Sequence, residues 1–145
     1  ELVFVTAPLK ESLTINGSFE GNIQAIINKK DMDLLIGLYE QLPNGKYHYL
    51  SYYLGRASYA NNRSKRTLLR PGVIESIPIQ NTFFTSRKIA KGNRLVVTVS
   101  INKSVDWEIN YGTGKPVNTE TIQDAKQPLQ IQWSNQSVIK IPVFK

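Results

Sequence analysis

Residues Leu95 to Asn102, which read LVVTVSIN, set the structural period of this chain. Leu95, Val97, Val99 and Ile101 alternate with Val96, Thr98, Ser100 and Asn102. Because successive side chains of a β-strand point to opposite faces, this alternation predicts a strand with one buried face.

The same period of two returns along the chain, in segments 19–27, 34–38, 129–133 and 139–143. Between Leu38 and Tyr47, the turn Pro43-Asn44-Gly45 predicts a hairpin, since Asn-Gly accepts the positive φ of tight turns. Helical spacing is confined to one short turn over 119–125, capped by Thr119 or Thr121. We therefore predict an all-β fold, a jelly-roll β-sandwich with at most one short helix, in a single domain over 1–145.

Composition narrows the class of protein. The chain has 145 residues, of which 41% are hydrophobic and 20% charged, as in a globular domain. It has no cysteine and no apolar run near the roughly 18 residues of a membrane helix, so we expect no thiolate metal site and no membrane contact. The net charge is +7, densest at 63–66 and Arg70. We interpret that basic stretch as a solvated loop; a phosphate-contacting patch and a contact with another domain are the alternatives.

The stretch NYGTGK, residues 110–115, resembles a phosphate-binding loop only superficially. A P-loop needs a glycine where Ile109 stands and a hydroxyl residue where Pro116 stands. We therefore predict a glycine turn and no nucleotide cofactor.

No set of catalytic residues is apparent. The nucleophile motif G-x-S-x-G is absent, and the single histidine, His48, differs in parity from Tyr47 and Tyr49, which predicts a structural or surface role. Asp31 and Asp33 share a face at a strand start; we favour a polar strand entry over a calcium site.

Two further groups of side chains are ambiguous. Glu120 and Asp124 lie near Lys115 and Lys126 in sequence and suggest surface ion pairs. Trp107 and Tyr111 suit either a sugar-binding face or packing at a core or interface, and packing is favoured. Trp133 is in phase with the apolar residues of 129–133 and is predicted to be core.

The order of several segments resembles a known family. The segments are Asp31-Met32-Asp33-Leu34, Leu54-Gly55-Arg56-Ala57-Ser58-Tyr59, Leu69-Arg70-Pro71-Gly72, Ile89-Ala90-Lys91-Gly92-Asn93-Arg94-Leu95 and Ser137-Val138-Ile139-Lys140-Ile141-Pro142-Val143. In this order they resemble the C-terminal domain of X-Pro dipeptidyl-peptidases and cocaine-esterase-like (CocE/NonD) hydrolases. One departure is Asn93, where that family often has histidine.

The resemblance implies a jelly-roll (galactose-binding-like) domain without catalytic residues, excised from a longer chain. The serine triad would lie in a preceding α/β-hydrolase domain with a helical cap, and these two domains would be the partners. The parent's substrate, any homo-oligomer, and a cytoplasmic or exported location stay open. Nucleic acid is not an expected partner.

The resemblance also gives the aromatic loop a role. Trp107, Asn110, Tyr111, Gly112 and Gly114 are predicted to form a loop with flexible backbone that packs on the hydrolase domain near its cleft. The alternative function, from another class, is a free-standing carbohydrate-binding or adhesion module.

Overall fold

The computed structural model describes residues 1–144. The chain forms β1 (Leu2–Val5), β2 (Leu13–Gly17), β3 (Glu20–Ile27), β4 (Asp33–Gln41), β5 (Tyr47–Arg56), β6 (Ile74–Ile79), β7 (Thr85–Ile89), β8 (Arg94–Ile101), β9 (Ile131–Trp133), β10 (Val138–Lys140) and β11 (Val143–Phe144). Its helical elements are two single 3₁₀ turns, Ala57–Tyr59 and Val117–Thr119, and the four-residue helix α1 (Ile122–Ala125). No helix within residues 1–144 has the length and apolarity needed to cross a bilayer.

The strands form two layers. One is a four-stranded antiparallel sheet with the order β1-β8-β4-β5. The other combines β10-β3-β6, with β9 also paired to β3, and β11-β2-β7. The chain crosses between layers from β3 to β4 and from β5 to β6, as in a jelly roll. The predicted all-β sandwich is confirmed.

A single hydrophobic core joins the two layers. The β4 residues Leu34, Ile36 and Leu38 alternate towards it and are at most 2% exposed. They face buried isoleucines of the opposite layer, namely Ile15, Ile23, Ile27, Ile77, Ile79 and Ile89. Each such side chain contributes about 1.5–3 kcal/mol by leaving water, so this core supplies the main stabilisation of the fold.

The β4–β5 hairpin contains an irregularity that positions its tyrosines. Its turn is closed by the Leu42 N–H, which donates to the Lys46 carbonyl oxygen at 2.8 Å, and Gly45 has φ 80°. This confirms the predicted hairpin. Leu38 pairs with Ser51 but the next residue, Tyr39, pairs with Tyr49, so one extra residue bulges in β5. Such a bulge reverses the alternation, and it places Tyr47, Tyr49 and Tyr52 on one face despite their mixed spacing.

One local expectation needs correction. Val143 does not continue the buried face of Ile139, because Pro142 separates β10 from β11, and Val143 is 47% exposed. β8 ends at Ile101, and the chain then forms a long loop that contains residues 107–111. The short helix is confirmed: Thr121 caps α1 in a capping box with Asp124.

Candidate functional site

The predicted loop residues Trp107 to Gly114 lie together on the surface after β8. Trp107 is 54% exposed, whereas Tyr111 is half-buried. Gly112 and Gly114 both have positive φ, 71° and 92°, which confirms a glycine turn. The backbone of this loop is not free, because the side chains of Glu120, Asn110 and Arg66 bind its amide and carbonyl groups.

Glu120 binds the loop from its C-terminal side. Its carboxylate accepts the Tyr111 N–H at 2.8 Å and the Thr113 N–H at 3.0 Å, and the Thr113 hydroxyl donates to the same carboxylate. The expectation of a surface ion pair for Glu120 is therefore wrong: this side chain satisfies loop amides that have no strand partner.

Asn110 connects the loop to the sheet. Its side-chain nitrogen Nδ2 donates to Asp33 Oδ1 at 2.8 Å, and its side-chain oxygen Oδ1 accepts the Gly112 N–H at 2.9 Å. Asp33 also forms a two-point pair with Arg56, at 2.9 and 3.0 Å. This hydrogen bonding by Asp33, opposed by burial, raises the pKa of Arg56. One carboxylate thus ties β4, β5 and the loop together.

Arg66 binds the backbone at the end of the loop. Its guanidinium donates to the carbonyl oxygens of Gly114, at 3.2 Å, and Lys115, at 2.8 Å. It also pairs at 3.0 Å with Asp31, which is only 1% exposed. For Arg66, the interpretation as part of a solvated basic loop is wrong, whereas Arg63 and Lys65 are exposed.

The carboxylates of Asp31 and Asp33 are thus both paired with arginines. Asp31 additionally accepts the Ser58 N–H at 3.0 Å, the Ser58 hydroxyl at 2.6 Å and the Met32 N–H at 2.9 Å. These contacts make the pair a structural strand entry, as favoured from the sequence. Residues 1–144 contain no cluster of three or more metal-ligating side chains.

Other predicted residues have surface or core positions. Lys115 forms an ion pair with Asp124, as predicted, and this contact, with hydrogen bonds from Thr121, lowers the pKa of Asp124 to about 2. His48 is exposed on β5, which agrees with a surface role. Trp133 is partly buried and packs against the core, as predicted.

A buried glutamate forms a further polar cluster in the sandwich. Glu40 is 1% exposed and accepts two hydrogen bonds from Arg87, at 2.8 and 3.0 Å. Asn93, in the turn before β8, donates its amide to the other oxygen of Glu40. Asn93 therefore does more than shape a turn: it satisfies a buried acceptor, and this explains a polar residue at that position.

The outer face of the β1-β8-β4-β5 sheet is unusually apolar. We call it the tyrosine face and define it by Val3, Val5, Tyr39, Tyr47, Tyr49 and Tyr52. The ring centroids of Tyr39 lie 6.1 Å from Tyr47 and 5.8 Å from Tyr49. Tyr52 is 6.2 Å from Tyr49 and 5.0 Å from Phe83 of the neighbouring loop. The sequence alone does not reveal this face, because it depends on a bulge that the spacing of the residues does not show.

Gly37 leaves room for the ring of Tyr39. A Cβ at this position would lie 2.5 Å from Tyr39 Cε2 and 2.8 Å from its hydroxyl. The ring of Tyr39 therefore lies directly over the Gly37 backbone, in the manner in which aromatic side chains cover glycines in sheets. This contact fixes the orientation of the ring around which Tyr47 and Tyr49 are arranged.

The two layers of strands and the loop bound to them define a β-sandwich domain. The family of X-Pro dipeptidyl-peptidase C-terminal non-catalytic domains matches residues 1–136. The chain belongs to this family, and the resemblance found in its sequence is confirmed. Comparison with the curated protein sequences found no match.

Solved structures share the fold. An alpha-amino acid ester hydrolase labelled with selenomethionine is similar to 99% of this chain, with a TM-score of 0.90 at 22% identity. An aminopeptidase from a marine sediment Thaumarchaeota archaeon has a TM-score of 0.89 at 20% identity over 99% of the chain. A CocE/NonD family hydrolase from Staphylococcus aureus has a TM-score of 0.68 at 15% identity over 99%. The chain spans only 25%, 26% and 30% of these three proteins.

Proposed function

We propose that this chain is the accessory domain of a serine hydrolase of the dipeptidyl-peptidase or acyl esterase type, and that it packs on the α/β-hydrolase and cap domains of the same polypeptide. The observation that carries the proposal is membership of a family of C-terminal non-catalytic domains. The similar structures support it, because they are hydrolases in which such a sandwich is about a quarter of the chain. The side-chain chemistry agrees: the sole histidine is exposed and the buried carboxylates are paired with arginines.

The experiment measures turnover of an activated acyl ester, such as p-nitrophenyl acetate. We expect the 145-residue chain alone to match the buffer blank, and the polypeptide that carries this domain to hydrolyse the ester. Replacing His48 by alanine in that polypeptide should leave the rate unchanged, since His48 is exposed on a strand of the accessory domain. Turnover by the chain alone, or no turnover by the polypeptide, would contradict the proposal.

The aromatic loop is proposed to form part of the wall of the substrate cleft. The residues are those predicted from the sequence, with Trp107 exposed and Tyr111 half-buried. The hydrogen bonds to Glu120, Asn110 and Arg66 support this role, because a wall that contacts substrate is most effective when it is pre-organised. The loop acts in this proposal as a fixed surface, not through a flexible backbone.

Replacing Tyr111 by alanine in the full polypeptide is expected to raise KM several-fold, with a smaller change in kcat, because the lost packing removes about 1 kcal/mol of binding free energy. The reason is that the Tyr111 backbone stays bound to Glu120 while the ring is lost. Val105→Ala is the matched control, because Val105 lies in the same loop and is 94% exposed. Equal kinetics for Tyr111→Ala and the control would remove the cleft role while leaving the accessory-domain proposal intact.

A further inference from the structure

The tyrosine face violates the usual pattern of a sandwich surface. An outward sheet face normally carries polar side chains when it meets water. Here the outward positions of two neighbouring rows are Val3, Thr98, Gly37 and Tyr52, and Val5, Val96, Tyr39 and Tyr49. Of the seven side chains at these positions, three are aromatic, three are valines and only Thr98 is a small polar residue. We infer that this face is covered by a partner.

The exposed area is large enough for an interface. Tyr47 and Tyr49 are 55% and 51% exposed, and Phe83, which contacts Tyr52 at the edge of the tyrosine face, is 60% exposed. Since an aromatic side chain carries about 150–250 Å² of surface, these three rings together expose roughly 300 Å². One side of an interface between domains of a chain buries about 300–750 Å². Val3 and Val5, 52% and 46% exposed, extend the same surface across to β1.

We propose that the tyrosine face is the surface on which the catalytic part of the same polypeptide docks. This inference rests on the proposed function and deepens it by assigning the contact to one side of the sandwich. In a C-terminal domain the preceding chain connects through the first strand, and β1 is both that strand and the edge of this sheet. The chains of the similar hydrolases extend well beyond this domain, so each of them is long enough to contain such a partner.

Charge favours this partner over a second copy of the chain. Each copy carries a net charge of +7, so two copies meeting face to face would repel. The rim of the tyrosine face is basic too, with Arg94 beside Val96 and Lys46 beside Tyr47. The covering surface should therefore have apolar side chains at its centre and acidic side chains at its edge.

The docking face continues into the aromatic loop. The pairs Leu35–Leu54 and Asp33–Arg56 lie on the same outward side of β4 and β5, further along the strands. The ion pair of Asp33 and Arg56 binds Asn110, and Trp107 lines the same shallow groove as Leu54 and Arg56. A partner that docks on the tyrosine face would therefore also contact Trp107, and a single partner would cover both surfaces.

The test uses the absence of cysteine in this chain. Tyr49→Cys introduces a thiol on the tyrosine face, and Ser76→Cys introduces one on an exposed position of β6 in the opposite layer. Each is labelled with a maleimide, in the chain alone and in the full polypeptide, and the labelled peptide is quantified by mass spectrometry. If Tyr49→Cys impairs folding, Val3→Cys on the same face replaces it.

We expect Tyr49→Cys to label at least about tenfold more slowly in the polypeptide than in the chain alone, because docking must open first. Ser76→Cys should label equally in both. Equal labelling of Tyr49→Cys in both would overturn the inference, and so would protection that disappears on dilution, which would show a second copy as the occupant. Acyl-ester turnover is measured on the same samples: if turnover persists while protection fails, only the docking inference is lost.

Discussion

Replacing Asp31 by alanine is expected to lower the free energy of unfolding by about 3 kcal/mol, because the change breaks a buried ion pair and leaves its partners unsatisfied. The Asp31 carboxylate is fully buried and accepts hydrogen bonds from Ser58, Met32 and Arg66. Without it, the Ser58 N–H and hydroxyl lose their acceptor. Arg66, whose side chain is 20% exposed, retains some access to water, and for that reason we expect the lower part of the usual range.

The measurement is urea-induced unfolding of the chain with an unchanged m value. Asp106→Ala is the matched control, since Asp106 is exposed and contacts only Ser104, two residues away. It should change stability by less than about 0.5 kcal/mol. If Asp31→Ala were no more destabilising than this control, the buried network under the loop would not be part of the stable fold.

Replacing Gly112 by alanine is expected to destabilise the chain by about 3 kcal/mol, through strain and a steric clash together. Gly112 has φ 71°, which costs a non-glycine residue about 1–2 kcal/mol by itself. In addition, the new Cβ would lie 2.6 Å from the Asp31 carbonyl oxygen and 2.9 Å from Lys29 Cβ. Since Asp31 belongs to the buried network, the loop would have to move away from the connection between β3 and β4.

Gly45 provides a matched control for this prediction. Its φ is 80°, yet a Cβ there would have no neighbour within 4 Å. Gly45→Ala should therefore show only the conformational cost, about 1–2 kcal/mol. Unfolding of both variants in urea separates the two contributions. Equal destabilisation would mean that Gly112 is required for its dihedral angle alone and that the loop does not lie tightly on the connection between β3 and β4.

The fold was predictable because a strand with one buried face has an apolar residue at every second position. The alternation around Val97 and Val99 and the Asn44-Gly45 turn required no knowledge of distant residues. The burial of Glu40 was predictable as well, because Glu40 continues the core-facing series of Leu34, Ile36 and Leu38. A charged residue in that phase indicates a buried ion pair. A search for acidic residues in phase with apolar ones would have found it.

The network under the loop could not be predicted in the same way. Asp31 and Arg66 are 35 residues apart, and nothing in their local sequence distinguishes Arg66 from the exposed Arg63 and Lys65. The tyrosine face depends on the bulge in β5, because regular alternation would place Tyr49 and Tyr52 on opposite sides. Pairing over long sequence distances and strand irregularities both require the three-dimensional structure.

These features give the domain a consistent physical role. Its acidic residues are used to hold loops and strands together, and its outward aromatic residues remain available for contact. This organisation supports the proposal that the domain positions a neighbouring catalytic unit without supplying a reacting group. Under the proposed function, the reacting groups belong to another part of the polypeptide.

Fluorophosphonate labelling tests that claim most directly. The reagent forms a covalent bond with an activated serine, and peptide mapping of the full polypeptide then locates the bond. We expect one labelled serine that lies outside residues 1–145, with the serines of this domain unmodified. A label on any serine of this domain, such as Ser58 or Ser100, would contradict it.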